Sequence, residues 1–128
     1  MYKKAFDCVD SNLLLLKLFN YGFSNNALEL LISNYFKDRE QCTKISNNMS
    51  SPCQIKLGVP QGSVLGLLFF LIFINDLAFL LDSISSKLFA DDTTLYKSGP
   101  DLDNPITNFK LSIKPLFSWC KFNRLDIN

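Results

Sequence analysis

Eleven consecutive residues, Val64 to Ile74 (VLGLLFFLIFI), carry no polar side chain. Such a run must leave water, for a protein core or for a membrane. Its length decides between them: about 20 apolar residues cross a bilayer, whereas roughly 10–14 fit a buried core helix. Leu77 to Leu81 extends the run only after Asn75 and Asp76 have interrupted it. The expectation is a core helix over residues 63–81, no membrane partner, and a small membrane-associated protein as the displaced alternative.

The remaining residues must build the layers around that helix. A chain of 128 residues, 48% of them hydrophobic, can bury one core, and no repeat or linker divides it, so residues 1–128 are read as one unit. Thirteen Lys+Arg against twelve Asp+Glu leave a net charge of +1, too balanced to announce a polynucleotide partner by electrostatics. The absence of histidine excludes Ser-His-Asp and Cys-His nucleophilic sites and His-ligated zinc. Cys8, Cys42, Cys53 and Cys120 form no C-x-x-C pair and are read as reduced thiols. With an N-terminus that turns charged too early for a secretory signal, this points to an intracellular protein of nucleus or cytoplasm, not a secreted one.

Ser11 to Asn20 reads as a short helix capped by Asp10 or Ser11 and broken by Gly22. Residues 24–37 follow as an amphipathic helix with Leu28, Leu31, Ile32 and Tyr35 on one face, set to pack on the first. Residues 39–59 read as two short strands around a turn at Asn47-Asn48. After the apolar helix, Lys87 to Tyr96 reads as two β-runs meeting at Asp91-Asp92, with Gly99-Pro100 ending the unit. A last helix spans residues 105–122, kinked or divided by Pro115. Helices and antiparallel strands in this order make an α+β domain.

Asp91-Asp92 is the most informative dipeptide. Adjacent carboxylates repel, and a strand interior suits neither, so the pair belongs in a tight turn. An exposed hairpin turn would account for any such pair. Here Leu88, Phe89 and Ala90 before it, and Leu95 and Tyr96 after it, would hold a carboxylate-tipped hairpin on a core. Hard divalent cations take oxygen ligands, and a two-metal site needs several carboxylates from different elements. Upstream, Gly58-Val-Pro-Gln-Gly-Ser-Val-Leu-Gly66 makes a loop whose glycines let backbone approach a ligand, with Gln61 at its tip.

Phe89-Ala-Asp-Asp92 resembles the aromatic-x-Asp-Asp motif of reverse transcriptases. Residues 58–66, with their apolar sequel and Ile74-Asn-Asp-Leu77, are similar to a second block of that family. Lys4-Ala-Phe-Asp-Cys-Val-Asp10 looks like the end of its first palm block, and Trp119 to Asn128 like a fourth. The wording resembles the jockey-like branch of non-LTR (LINE-like) retrotransposons more than retroviral enzymes. The resemblance implies a polymerase palm, an antiparallel sheet with helices on one face, with fingers and thumb outside residues 1–128. It also implies an RNA-directed DNA polymerase using two Mg²⁺ ions, an RNA template, a DNA primer and dNTPs. Asp91 and Asp92 carry over as catalytic metal ligands, Gln61 and Gly62 as nucleotide-site residues. Phe6 carries over as the aromatic beneath the sugar that disfavours a ribose 2′-hydroxyl.

The family's first metal-binding aspartate precedes that aromatic by five residues, a count that lands on Met1. A soft thioether does not replace a carboxylate at Mg²⁺. Asp7 is not its substitute; it is expected to help the turn into the following helix. Ser11 stands where the family has histidine, and Leu67 where it has proline. The expectation is a partial domain that does not polymerise alone and self-associates through exposed apolar surface. The alternative is a retained palm module that binds RNA or protein without catalysis.

Overall fold

Asp10 sets the first long helix. Its carboxylate accepts from the backbone N–H groups of Asn12 and Leu13, two donors that a helix start leaves unpaired, and α1 (Ser11–Asn20) follows. The cap is itself buried and ion-paired with Arg124 at 2.5 Å. In this computed structural model, residues 2–81, 84–98 and 105–127 are described; Gly99-Pro100 and the side chain of Leu31 lie outside them. Gly22 ends α1 with a φ of 93°, a left-handed conformation that costs glycine nothing.

The second helix departs from regularity. It opens as α2 (Asn25–Ala27), widens to a π-helical segment over Leu28–Ser33, and closes as α3 (Asn34–Phe36). The backbone stays helical throughout, and Leu28 and Ile32 are buried as the periodicity predicts. Residues 39–59 form two small antiparallel ladders instead of two strands. β1 (Glu40–Gln41) pairs with β4 (Cys53–Gln54), and β2 (Lys44–Ile45) with β3 (Asn48–Met49). The inner turn is Ser46-Asn47, one residue earlier than expected, with Ser46 in the left-handed region at φ 53°.

The apolar run forms α4 (Val64–Ile74), capped by the Ser63 hydroxyl, which accepts from Gly66 N–H at 2.9 Å. A tightened turn at Asn75 leads into α5 (Asp76–Leu80). The helix is apolar all round, yet only Gly66, Phe69, Phe70, Phe73 and Ile74 are buried. Val64, Leu65, Leu67, Leu68 and Leu71 face outward, so the run is half a core helix, not a wholly buried one. No helix among the described residues is long and apolar enough to cross a membrane.

The two polar residues that interrupt the run are anchors. Asn75 Nδ2 donates to the Tyr21 hydroxyl (3.1 Å), and Asp76 accepts from Lys17 Nζ (2.9 Å), which also donates to the Phe73 carbonyl (2.6 Å). The Lys17 ammonium lies 4.6 Å from the Phe73 ring centre and 5.0 Å from that of Trp119. One nearly enclosed cation thus ties α1 to the end of α4.

β5 (Ser85–Phe89) and β6 (Asp92–Tyr96) make the acidic hairpin, in register Phe89↔Asp92. The last helical stretch divides at Ile113 into α6 (Pro105–Ser112) and α7 (Lys114–Phe122), with Pro115 inside the first turn of α7, where its missing N–H is harmless. The α+β class therefore stands. The sheet consists of three separate two-stranded ladders, because none pairs with another among the described residues.

In the core, burial pushes the Cys120 thiol up to about 11 from 9.0. The native thiol keeps its proton where the unfolded one has lost it. Its contribution is present in full below pH 9.0 and is lost as pH climbs through about 11. Burial raises Tyr2 as well and acts in the same direction, while burial lowers Lys17 and acts oppositely. Denaturant unfolding of the wild type against Cys120→Ala isolates the thiol. The wild type is expected to lose ground to the variant across that window, and a constant difference contradicts the assignment.

Candidate functional site

The 3₁₀ turn Ala5–Cys8 and the loop entering α4 are pressed together. Val59 N–H donates to the Phe6 carbonyl (2.8 Å), and Gly58 N–H to the Val9 carbonyl (2.8 Å). Gly58 has φ 88°, and a Cβ there would lie 2.8 Å from Asp7 Cα, 2.9 Å from the Asp7 carbonyl oxygen and 2.9 Å from that of Phe6. No side chain fits at that juncture. From outside, Arg39 Nη1 donates to the Gly58 carbonyl (2.8 Å), and the Tyr35 hydroxyl meets Ser63 Oγ at 2.5 Å.

This clamp fixes three of the five expected site residues around one depression of about 510 Å³. Phe6, Gln61 and Gly62 line it, with Pro60, Ser63, Val64 and Leu67. Phe6 is half-buried on Phe70, ring centres 4.3 Å apart. Gly62 has φ 85° with open space where a Cβ would point. A second, more polar depression of about 680 Å³ is lined by Asp7, Arg39, Glu40, Gln41 and Gln61 among others. Gln61 borders both.

Asp91 and Asp92 are not among these lining residues and stand at the hairpin tip. Ala90, at φ 49°, and Asp91 form the turn, and Asp92 is the first residue of β6. Thr93, next along β6, reaches the buried Tyr2 hydroxyl through a long hydrogen bond of 3.5 Å. Neither carboxylate makes an ion pair or hydrogen bond among the described residues. The tight turn expected from the sequence is present one residue earlier than expected, so that Asp91 lies in it and Asp92 in the strand.

A family model for reverse transcriptase (RNA-dependent DNA polymerase) matches residues 2–128. The chain belongs to that family. It is also similar to the probable RNA-directed DNA polymerase from transposon BS of Drosophila melanogaster, 30% identical over 105 residues. That match takes in 77% of this chain and 12% of the relative, so the chain spans a small part of that protein's length.

Reverse transcriptases work with divalent metal ions, and Asp91 and Asp92 offer the hard oxygen donors such ions take. The donors fit in kind and fall short in number: no third acidic, histidine or cysteine side chain joins them among the described residues. Position 1, where the family's first aspartate is expected, lies outside those residues.

In this reverse transcriptase domain one residue stands in a different role from the one its sequence position suggests. Asp7 does not serve the turn into α1, which Asp10 caps; its carboxylate accepts from Gln61 Nε2 at 3.0 Å. Nothing in the sequence marks Arg39 as a site residue, and Tyr35 reads only as part of the packing face of the second helix. All three act on a loop distant in sequence, so no local spacing marks them.

Proposed function

We propose that the chain is the nucleotide-facing part of the palm of a mobile-element reverse transcriptase of non-LTR type. In the intact enzyme it serves RNA-templated transfer of deoxynucleotides to a primer 3′-hydroxyl, inside the cell, in nucleus or cytoplasm. The observation that carries this reading is the convergence of Phe6, Gln61 and Gly62, from two distant segments, on one depression.

Phe6 would lie beneath the sugar, supported by Phe70. Gly62, with open space above its backbone, would let the nucleotide approach closely, and Gln61 would offer its amide. Asp91 and Asp92 would supply oxygen ligands to two Mg²⁺ ions, whose chemistry is to activate the primer hydroxyl and steady the departing pyrophosphate. No third carboxylate joins them among the described residues, so on this reading the chain alone does not complete that site. The outward apolar side chains of α1 and α4, among them Leu16, Phe19, Leu67, Leu68 and Leu71, support self-association of the isolated chain.

Photocrosslinking with a radiolabelled deoxynucleoside triphosphate tests the site. The adduct is expected at Phe6 or within residues 58–67, and an adduct confined to other segments sinks the reading. The same preparation, given an RNA template, a DNA primer and Mg²⁺ or Mn²⁺, is expected to extend nothing. Robust incorporation would overturn the claim of incompleteness.

A further inference from the structure

We propose that Asp7 is a positioning residue of the nucleotide site, whose carboxylate holds the Gln61 amide in one orientation. The proposal rests on the nucleotide-site reading and adds to it a residue with no ligand contact of its own. Phe6 and Asp7 are adjacent, yet they border different depressions. Phe6 lines the apolar depression, Asp7 the polar one, and Gln61 both. Asp7 therefore holds Gln61 without itself lining the depression that Phe6 lines.

The chemistry of the pair sets the amide's polarity. An ionised carboxylate only accepts hydrogen bonds, so the group that meets it at 3.0 Å is the Gln61 NH₂. The end left free is the carbonyl oxygen, together with the second N–H. A ligand in the depression meets that oxygen with a donor group, and an acceptor-only phosphate oxygen does not.

The bond is not needed to hold the loop in place. Two backbone hydrogen bonds already tie residues 58 and 59 to the turn, and Gly58 lies in contact with the Asp7 backbone. Both side chains are exposed, where one hydrogen bond adds little stability. What it changes is the orientation of an amide that would otherwise rotate.

The test uses the isotope-labelled chain and the variants Asp7→Ala and Asp7→Asn, titrated with a deoxynucleoside triphosphate and Mg²⁺. In the wild type, the Gln61 side-chain NH₂ resonances are expected away from free-amide positions, and signals of Phe6, Gln61 and Gly62 shift with nucleotide. Asp7→Ala is expected to return the NH₂ pair to free-amide positions and weaken binding about fivefold, the loss of one hydrogen bond. The thermal midpoint should not move. Asp7→Asn keeps an acceptor oxygen at the same place and should restore both the NH₂ shift and the affinity.

A Gln61 amide that ignores Asp7→Ala overturns the proposal. So does equal weakening in both variants with a lowered midpoint, which marks a structural role, or equal tightening in both, which marks charge. A Gln61 amide held by Asp7 in a wild-type chain whose Phe6 and Gly62 ignore nucleotide overturns the nucleotide-site reading instead, and Asp7's part falls with it.

Discussion

Gly58→Ala is expected to lower the unfolding free energy by about 3 kcal/mol, through two costs that add. A left-handed φ costs a non-glycine residue about 1–2 kcal/mol, and overpacking against neighbours that cannot move costs about 1–3 kcal/mol. Here φ is 88° and the atoms met are backbone, at 2.8 and 2.9 Å. Gly62→Ala isolates the first cost. Its φ is 85°, nearly the same, but nothing lies within 4 Å of the added carbon. That variant should lose only about 1 kcal/mol. Urea unfolding of the two side by side separates strain from crowding. Equal losses would mean that the loop is not pressed on the Ala5–Cys8 turn.

Phe70→Ala is expected to cost about 3–5 kcal/mol, since it deletes a fully enclosed ring and leaves a cavity that its neighbours only partly fill. Phe70 is 0% exposed and lies directly under Phe6. For a domain whose whole stability is about 5–15 kcal/mol, that is a large share. The same variant should also loosen Phe6, because its support is gone. Val64, in the same apolar run, is 88% exposed, and Val64→Ala should be close to neutral. Chemical denaturation of the two variants therefore reads out which face of α4 points inward. A Phe70→Ala loss no greater than that of Val64→Ala contradicts the assigned face.

Much of this architecture is legible in the residues themselves. Asp10 before an apolar stretch announces a cap, Gly22 a stop, and Pro115 a division, because each acts on backbone within a few positions of itself. Asp91-Asp92 announces a turn for the same reason. The π-helical segment at Leu28–Ser33 was not legible: shifting a hydrogen bond by one residue is decided by what the helix packs against, not by its own side chains. Composition likewise could not tell which side of α4 would be covered, since Leu71 and Phe70 read alike. At the site, the loop was legible through its glycines, whereas the Asp7–Gln61 bond joins residues 54 apart and exists only once the chain has folded. Asp7 reads as a local turn former because only local rules bear on it in the sequence.

The two ends of the described chain meet. Tyr2 bridges Ile127 in antiparallel fashion, and Lys3 N–H donates to the Asp126 carbonyl at 2.8 Å. In polymer terms the fold is a closed ring. The entropy of closing such a ring grows only with the logarithm of its length, about 0.6 kcal/mol per doubling, so the seam is thermodynamically tolerable. Kinetically it is late, because contacts so far apart form after local ones. A polypeptide continuing from both Tyr2 and Ile127 would enter and leave this fold at neighbouring points.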